Sequence, residues 1–291
     1  MKQKVALVLS GGGARGIAHI GVIDELRERG YEISSVAGTS MGSLIGAVYA
    51  SGKLEDLKEW IRTLDKGKLL RMADFTLSKQ GLIKGDRVLK KMNDFIPDVP
   101  IEDLDIPYLA VAVDLIKKQE VVFRDGSLQD AVRASISIPS VFTPVKSKGR
   151  LLVDGGVMNN IPINHIQRTG GDIVIAVNVI ADVPVRVLPE SADGGAKQHR
   201  AHRDWIKEFR KHLSSKSDGS HGENMGYLSL ITRTIDLMTM HMSDLYLENY
   251  TPDILINISS ETCNIYDFYK IDEMVEAGRL AAVETLDRIE A

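Results

Sequence analysis

Apolar and polar positions alternate in a way that predicts strands separated by helices. Short, almost wholly apolar runs such as Val5–Leu9 and Ile173–Val179 are typical of strands buried on both faces of a parallel sheet. The segment Glu120–Phe123 follows another such run closely and predicts its antiparallel neighbour. The predicted strands are Val5–Leu9, Ile33–Ala37, Tyr108–Asp114, Glu120–Phe123, Leu151–Val153, Ile173–Val179 and Asp253–Ile258. A mainly parallel sheet follows from this pattern.

The intervening segments show helical spacing. Apolar residues recur every three or four positions from Ile17 to Leu26, and Gly30 ends that helix. Further helices are predicted over Leu128–Ser135, Tyr227–Tyr246 and Met274–Ile289. Residues 53–100 are also amphipathic and helical, and two interpretations stay open: a cap over the edge of the sheet where a substrate enters, or ordinary connecting helices. The pattern as a whole predicts an α/β protein.

Composition narrows the class of protein. The 291 residues are 44% hydrophobic and 26% charged, typical of a globular chain, and we expect one domain over residues 1–291. A net charge of −4 argues against nucleic-acid binding through bulk charge. The single cysteine, Cys263, excludes an intrachain disulfide framework and cysteine-rich zinc sites. No secretory signal and no transmembrane run is found, so the expected location is cytoplasmic.

A polar insertion is predicted at about residues 182–226. Within it, residues 197–213 have the spacing of a basic amphipathic helix with aromatic side chains. Such a helix can lie on an anionic bilayer, which would give peripheral contact with a membrane surface. The interpretation we favour is a mobile insertion that docks on its own domain.

The pentapeptide Gly38-Thr39-Ser40-Met41-Gly42 stands between a predicted strand and a predicted helix. This G-x-S-x-G pattern is typical of a nucleophile elbow, in which a tight turn strains the serine backbone and leaves no room for flanking side chains. Ser40 is therefore the candidate nucleophile. The alternative is a strand-to-helix loop with a capping serine.

A glycine-rich loop follows the first predicted strand. It comprises Gly11, Gly12, Gly13, Ala14, Arg15 and Gly16, and contains G-x-G-x-x-G. A dinucleotide site would need an acidic residue at the end of the second strand, where Gly38-Thr39-Ser40 stands instead. The loop is better interpreted as an oxyanion hole, whose N–H groups converge on one oxygen beside Ser40. Arg15 would add a positive charge there, or tie the loop down.

A base is needed to activate Ser40. Asp154-Gly155-Gly156 ends a predicted strand, whereas none of the histidines lies in a turn after a late strand. The seven histidines are His19, His165, His199, His202, His212, His221 and His241. The sequence therefore favours a dyad of Ser40 and Asp154, in a dry site that raises the pKa of the aspartate.

These motifs, in this order, resemble the patatin-like phospholipases. The resemblance includes Ala134-Ser135 to Pro139, covers most of residues 4–180 and is closest to compact bacterial members related to the neuropathy target esterase branch. It implies a three-layer α/β/α sandwich, Ser40 as nucleophile, Asp154 as base and backbone of Gly11–Arg15 as oxyanion hole. It implies neither metal nor organic cofactor. The insertion at about 182–226 departs from the family.

The expected function is a serine lipid acyl hydrolase of the phospholipase or lysophospholipase type, with a phospholipid or other fatty-acyl ester as substrate. A second hypothesis is a regulatory or adaptor protein that retains the hydrolase scaffold. A nicotinamide-dependent enzyme is a distant third.

Overall fold

A computed structural model describes residues 2–63, 90–139, 142–185 and 227–291. These residues form a central mixed sheet of eight strands. The strands are β1 (Lys4–Leu9), β2 (Glu32–Thr39), β3 (Tyr108–Asp114), β4 (Gln119–Phe123), β5 (Val145–Ser147), β6 (Arg150–Asp154), β7 (Asp172–Ala181) and β8 (Ile254–Ser259).

Most of the sheet is parallel, as predicted. The strands β3, β2, β1, β7 and β8 lie side by side in that order, and each pair of neighbours is parallel. The other three strands, β4, β5 and β6, are joined to β3 and to one another by antiparallel pairing. The antiparallel strands are confined to one end of the sheet, where the candidate base Asp154 lies.

Helices cover both faces of the sheet. Along β1, Val5, Leu7 and Leu9 face one apolar core, whereas Ala6 and Val8 face a second core on the opposite side. The helices are α1 (Ala18–Glu28), α2 (Met41–Ala50), α3 (Leu54–Arg62), α4 (Leu128–Ser135), α5 (Tyr227–Asn249) and α6 (Ile271–Glu290). Apolar residues of α1, α2, α3 and α6 belong to the first core, and α5 contributes to the second. The expected α/β/α sandwich is confirmed.

The ends of β2 and β6 meet at one edge of β3. Because β4 pairs along the other edge of β3, β2 and β6 share the remaining one. β2 pairs until Thr39 stands opposite Val111, and β6 until Asp154 stands opposite Ala112. β2 is parallel and β6 antiparallel to β3, so their C-terminal ends approach each other head to head. This brings Ser40, the residue after β2, next to Asp154.

The boundaries differ from the prediction mainly at this junction. β2 continues to Thr39, two residues beyond the predicted end, and the short strand β5 was not predicted because its exposed residues show no apolar alternation. On α5, Met238 and Leu245 have the spacing of one apolar helix face with Met242, yet both are exposed. The predicted insertion from residue 186 onward and the helical stretch 64–89 lie outside the described residues. No helix within the described ranges is both long and apolar enough to span a membrane.

Two glycines bring α1 and α6 into close contact. A Cβ on Gly278 would overlap the carbonyl oxygen of Ala18, and a Cβ on Gly21 would overlap that of Val275. The backbones therefore touch, which is possible only without these side chains. α1 begins directly after the glycine-rich loop, so this contact also fixes the start of the helix that follows the loop.

We expect Gly278→Ala to destabilise the protein by about 2 kcal/mol or more, because the added methyl group forces the two helices apart. Urea unfolding measures the free-energy difference. Gly170→Ala is the matched control, since nothing lies within 4 Å of a Cβ at that position. Equal stability of the two variants would contradict the proposed close packing.

Candidate active site

Ser40 has the strained backbone of a nucleophile elbow. It lies between β2 and α2 with φ 53° and ψ −125°, a conformation that is unfavourable for a residue with a side chain. Its N–H donates to the hydroxyl of Ser135 (3.0 Å), and that hydroxyl donates to the carbonyl oxygen of Val111 (2.6 Å). The buried Ser135 side chain thus satisfies the backbone of the strained turn.

The neighbours of Ser40 explain the residue types of the pentapeptide. A Cβ on Gly42 would overlap the carbonyl oxygen of Leu9, and one on Gly38 would lie 2.5 Å from that of Gly42. The Thr39 hydroxyl donates to the carbonyl oxygen of Asn159 (2.9 Å). Met41 begins α2, and its side chain fills the space beside Gly16 that a Cβ would need. The turn is therefore held on β1, on the glycine-rich loop and on the segment after Asp154.

Asp154 is buried beside Ser40. Both residues are 5% exposed, and a Cβ on the next residue, Gly155, would overlap the carbonyl oxygen of Val111 and lie 3.0 Å from the Thr39 methyl group. The N–H of Gly156 donates to Oδ1 of Asp154 (2.8 Å), whereas Oδ2 is buried without a partner among the described residues. The second carboxylate oxygen is thus available to a reacting group.

The electrostatics of Asp154 are unusual for a carboxyl group. Burial disfavours the charged form and raises the pKa of Asp154 to about 6, even though interactions with the Ser40 hydroxyl and the Gly156 N–H act in the opposite direction. The hydroxyl and the carboxyl are close enough to interact, and a loose contact of this kind is common in unliganded active sites. A carboxyl group with this pKa can exchange protons near neutral pH.

The glycine-rich loop lies next to Ser40 and has two unused N–H groups. A Cβ on Gly11 would lie 3.0 Å from Cβ of Ser40. Three N–H groups of the loop already have acceptors: Gly11 donates to Asn160 (3.1 Å), Ala14 to Ile265 (2.9 Å) and Arg15 to Gly12 (3.2 Å). Among the described residues, no acceptor is found for the N–H groups of Gly12 and Gly13. Gly13 also has φ 58°, which favours glycine.

Arg15 ties the loop to its surroundings. Its Nε donates to the carbonyl oxygen of Cys263 (2.9 Å), and its guanidinium lies 3.6 Å from the carboxylate of Asp236 on α5. Of the two roles expected for Arg15, these contacts account for the structural one.

The two histidines among the described residues that are not exposed have partners outside the proposed site residues Ser40 and Asp154. Nε2 of His19 donates to the carbonyl oxygen of Ser10 (2.8 Å), and complete burial lowers its pKa to about 4. His165 contacts Glu120 (2.7 Å), and His241 is exposed. Within the described ranges, the hydrogen bonds give neither Ser40 nor Asp154 a histidine partner. His199, His202, His212 and His221 lie outside those ranges.

Two site residues had no predicted chemical role. They are Ser135, at the end of α4, and Asn160, in the segment that follows Asp154-Gly155-Gly156. Asn160 binds both the glycine-rich loop and α5 through its hydrogen bonds to Gly11 and Ser243. For neither residue does the sequence spacing indicate its hydrogen-bond partner. In the described part of the chain, no three histidine, cysteine or acidic residues are grouped as metal ligands.

Comparison with known proteins identifies relatives of this chain. The sequence model of the family described as Patatin-like phospholipase matches residues 7–166. An NTE family protein of Mycobacterium bovis is 32% identical over 99% of this chain and 92% of its own length. The patatin-like phospholipase domain-containing protein 6 of Mus musculus is 37% identical over 60% of this chain, which corresponds to 13% of the mouse protein.

A solved structure shares the fold. VipD from Legionella pneumophila aligns over 99% of this chain and 67% of its own, with a TM-score of 0.53 and 17% identity. At that identity the likeness concerns the fold alone.

We expect Asp154→Asn to stabilise the folded protein at pH 7. Because the pKa of Asp154 is raised on folding, the folded state holds its proton more tightly, and ionisation costs stability as the pH rises from about 4 to about 6. The gain is at most about 3 kcal/mol, since one pKa unit corresponds to about 1.4 kcal/mol. Urea unfolding of both proteins at pH 4 and pH 7.5 measures it. A gain that is the same at both values would contradict burial as the cause.

Proposed function

The chain belongs to the patatin-like phospholipase family, and we propose that it is a serine lipid acyl hydrolase with a catalytic dyad of Ser40 and Asp154. Family membership supports lipid hydrolysis as the general activity. The phospholipase or lysophospholipase type of esterase is our more specific proposal. The acyl donor is a phospholipid or another fatty-acyl ester.

One observation carries the proposal. The strained Ser40 and the buried carboxyl of Asp154 lie together where β2 and β6 end, and no histidine of the described residues is bonded to either. A serine hydroxyl is a weak nucleophile until a base accepts its proton. Oδ2 of Asp154 has no hydrogen-bond partner among the described residues, and the carboxyl group interacts with the Ser40 hydroxyl, so it can accept this proton.

In the first half-reaction, Ser40 Oγ attacks the ester carbonyl while its proton passes to Asp154. The C–O bond to the alcohol then breaks, and Asp154 returns the proton to the leaving oxygen. Water hydrolyses the resulting acyl-Ser40 in the second half-reaction, with Asp154 again as the base. A pKa of about 6 suits both directions of proton transfer at neutral pH.

We propose that only part of the loop Gly11–Gly16 forms the oxyanion hole. The N–H groups of Gly11, Ala14 and Arg15 are occupied by backbone acceptors, and we assign the oxyanion to the N–H groups of Gly12 and Gly13, for which no acceptor is found among the described residues. The flanking residues hold the loop in place. Hydrogen-bond donors that are already in position need little reorganisation when negative charge develops on the substrate oxygen.

The other sequence-based expectations stay predictions. They are one domain over residues 1–291, a cytoplasmic location, peripheral contact with a membrane surface, and the absence of a cofactor, a metal and a nucleic-acid partner.

Labelling with a fluorophosphonate tests the dyad. We expect the probe to label the wild type, and Ser40→Ala to abolish labelling and to lower ester hydrolysis at least about 1,000-fold. Asp154→Asn should slow both because the base is lost. Ser51→Ala is the matched control, since Ser51 is a half-buried serine whose hydroxyl binds only the backbone of α2.

Two other outcomes of the labelling experiment would contradict the proposed dyad. A folded wild type that neither reacts with the probe nor hydrolyses esters would favour the adaptor hypothesis. Labelling that survives Asp154→Asn and is lost on substitution of a histidine would replace the dyad by a triad.

The pH profile gives a further prediction. We expect kcat/KM for a soluble ester to rise about tenfold per pH unit below pH 6 and to level off above it, because only the ionised Asp154 can accept a proton. Repeating the profile at several temperatures identifies the group, since a carboxyl ionises with little enthalpy and an imidazole with much more. A midpoint near pH 4, or one that shifts strongly with temperature, would contradict Asp154 as the base.

A further inference from the structure

Asn160 holds a side-chain carbonyl in a fixed direction inside the site. The residue is 2% exposed, and its Nδ2 donates to the carbonyl oxygen of Gly11 (3.4 Å) and to the hydroxyl of Ser243 (3.1 Å). The Ser243 hydroxyl donates in turn to the carbonyl oxygen of Thr239, so it can only accept from Asn160. Two acceptors on one side of the amide settle its orientation, and Oδ1 therefore points the other way.

Oδ1 of Asn160 lies beside both members of the proposed dyad. It is 2.5 Å from the point where a Cβ on Gly11 would stand, and Cβ of Ser40 is 3.0 Å from that same point. It is also 3.1 Å from the position of a Cβ on Gly156, and so is Oδ1 of Asp154. The two missing side chains thus leave this oxygen facing the space between nucleophile and base.

This oxygen has no hydrogen-bond donor among the described residues. An amide oxygen that faces the site without a donor from these residues gains free energy from a hydroxyl that approaches it and donates a hydrogen bond. The ligand must bring an O–H or N–H group, because a carbonyl oxygen only accepts. The position next to Ser40 and Asp154 makes that ligand a participant in the reaction.

We propose that Asn160 is a further catalytic residue, whose Oδ1 accepts a hydrogen bond from the water that hydrolyses acyl-Ser40. This proposal rests on the proposed function. Water carries two O–H groups, and its attack requires both to be directed. One points to the carboxylate of Asp154, which takes the proton, and the other points to Asn160.

Hydrolysis of acyl-Ser40 proceeds in two stages. The water oxygen forms a bond to the acyl carbon while one proton moves to Asp154, and the N–H groups of Gly12 and Gly13 hold the oxyanion. The bond from the acyl carbon to Ser40 Oγ then breaks, and the proton on Asp154 passes to Oγ. The second hydrogen of the water, held by Asn160 during the attack, remains as the hydroxyl hydrogen of the free acid.

Methanol differs from water, as a nucleophile attacking acyl-Ser40, in the number of its O–H groups. Methanol has one O–H group, which gives its proton to Asp154, and it has none left for Asn160. Loss of Oδ1 should therefore impair hydrolysis of the acyl-enzyme more than its methanolysis. If Asn160 served only to hold Gly11, both reactions would slow together, because both pass through an oxyanion held by the same loop.

The experiment measures the ratio of methyl ester to free acid formed from a p-nitrophenyl ester in dilute methanol. Both products arise from the same acyl-enzyme, so the ratio does not depend on the folded fraction or on the rate of acylation. For Asn160→Ala we expect the ratio to rise roughly tenfold over wild type, the effect of one hydrogen bond in the transition state.

Two further variants serve as controls. Asn159→Ala makes the same truncation one position earlier, where the side chain binds Glu120 and Asn164 rather than the site. Ser243→Ala removes a partner of Nδ2 and leaves Oδ1 in place. We expect both to keep the wild-type ratio, although their overall rates change.

An unchanged ratio in Asn160→Ala would overturn this proposal and leave the dyad standing. If Ser40→Ala released p-nitrophenol as fast as the wild type, the proposed function itself would be overturned.

Discussion

The site depends on the meeting of two strand ends at one edge of β3. β2 ends opposite Val111 and β6 ends opposite Ala112, which are consecutive residues of the same strand. The carbonyl oxygen of Val111 also accepts the hydroxyl of Ser135, which in turn receives the N–H of Ser40. Pairing in the sheet, the strained turn and the position of Asp154 are therefore fixed by one stretch of backbone. A change of strand direction at this end of an otherwise parallel sheet makes the arrangement possible.

Burial has opposite effects on the groups of this site. It raises the pKa of Asp154, which gives a carboxyl group the basicity needed near neutral pH, and it lowers the pKa of His19, which keeps that imidazole neutral. His19 then donates to the carbonyl oxygen of Ser10, just before the glycine-rich loop. The same dry surroundings thus give a carboxyl group that ionises near neutral pH in one place and a neutral structural donor in another. The cost to stability is concentrated at Asp154.

Several hydrogen bonds from distant parts of the chain hold the glycine-rich loop in place. Asn160 forms hydrogen bonds with both the N–H and the carbonyl oxygen of Gly11. The carbonyl oxygen of Ile265 accepts the N–H of Ala14, and the Arg15 side chain donates to the carbonyl oxygen of Cys263. No acceptor is found among the described residues for the N–H groups of Gly12 and Gly13. A loop held in this way presents its free donors without reorganisation, which is the property expected of an oxyanion hole.

The sequence alone determined most of the secondary-structure elements and the residue types of the candidate active site. Apolar periodicity placed seven of the strands, because burial on both faces of a sheet leaves a direct pattern in the chain. The glycines around Ser40 and after Asp154 predicted tight turns, because close backbone contacts exclude a Cβ there.

Only the tertiary structure decided which of these groups touch. The strand β5 carries no periodic signal, and its partner β6 joins β3 in a direction that no local pattern encodes. The roles of Ser135 and Asn160 come from hydrogen bonds to residues about 95 and 149 positions away. Which N–H groups of Gly11–Gly16 stay free depends likewise on distant acceptors, since spacing along a chain fixes neighbours within an element and leaves contacts between elements to the packing of the whole sheet.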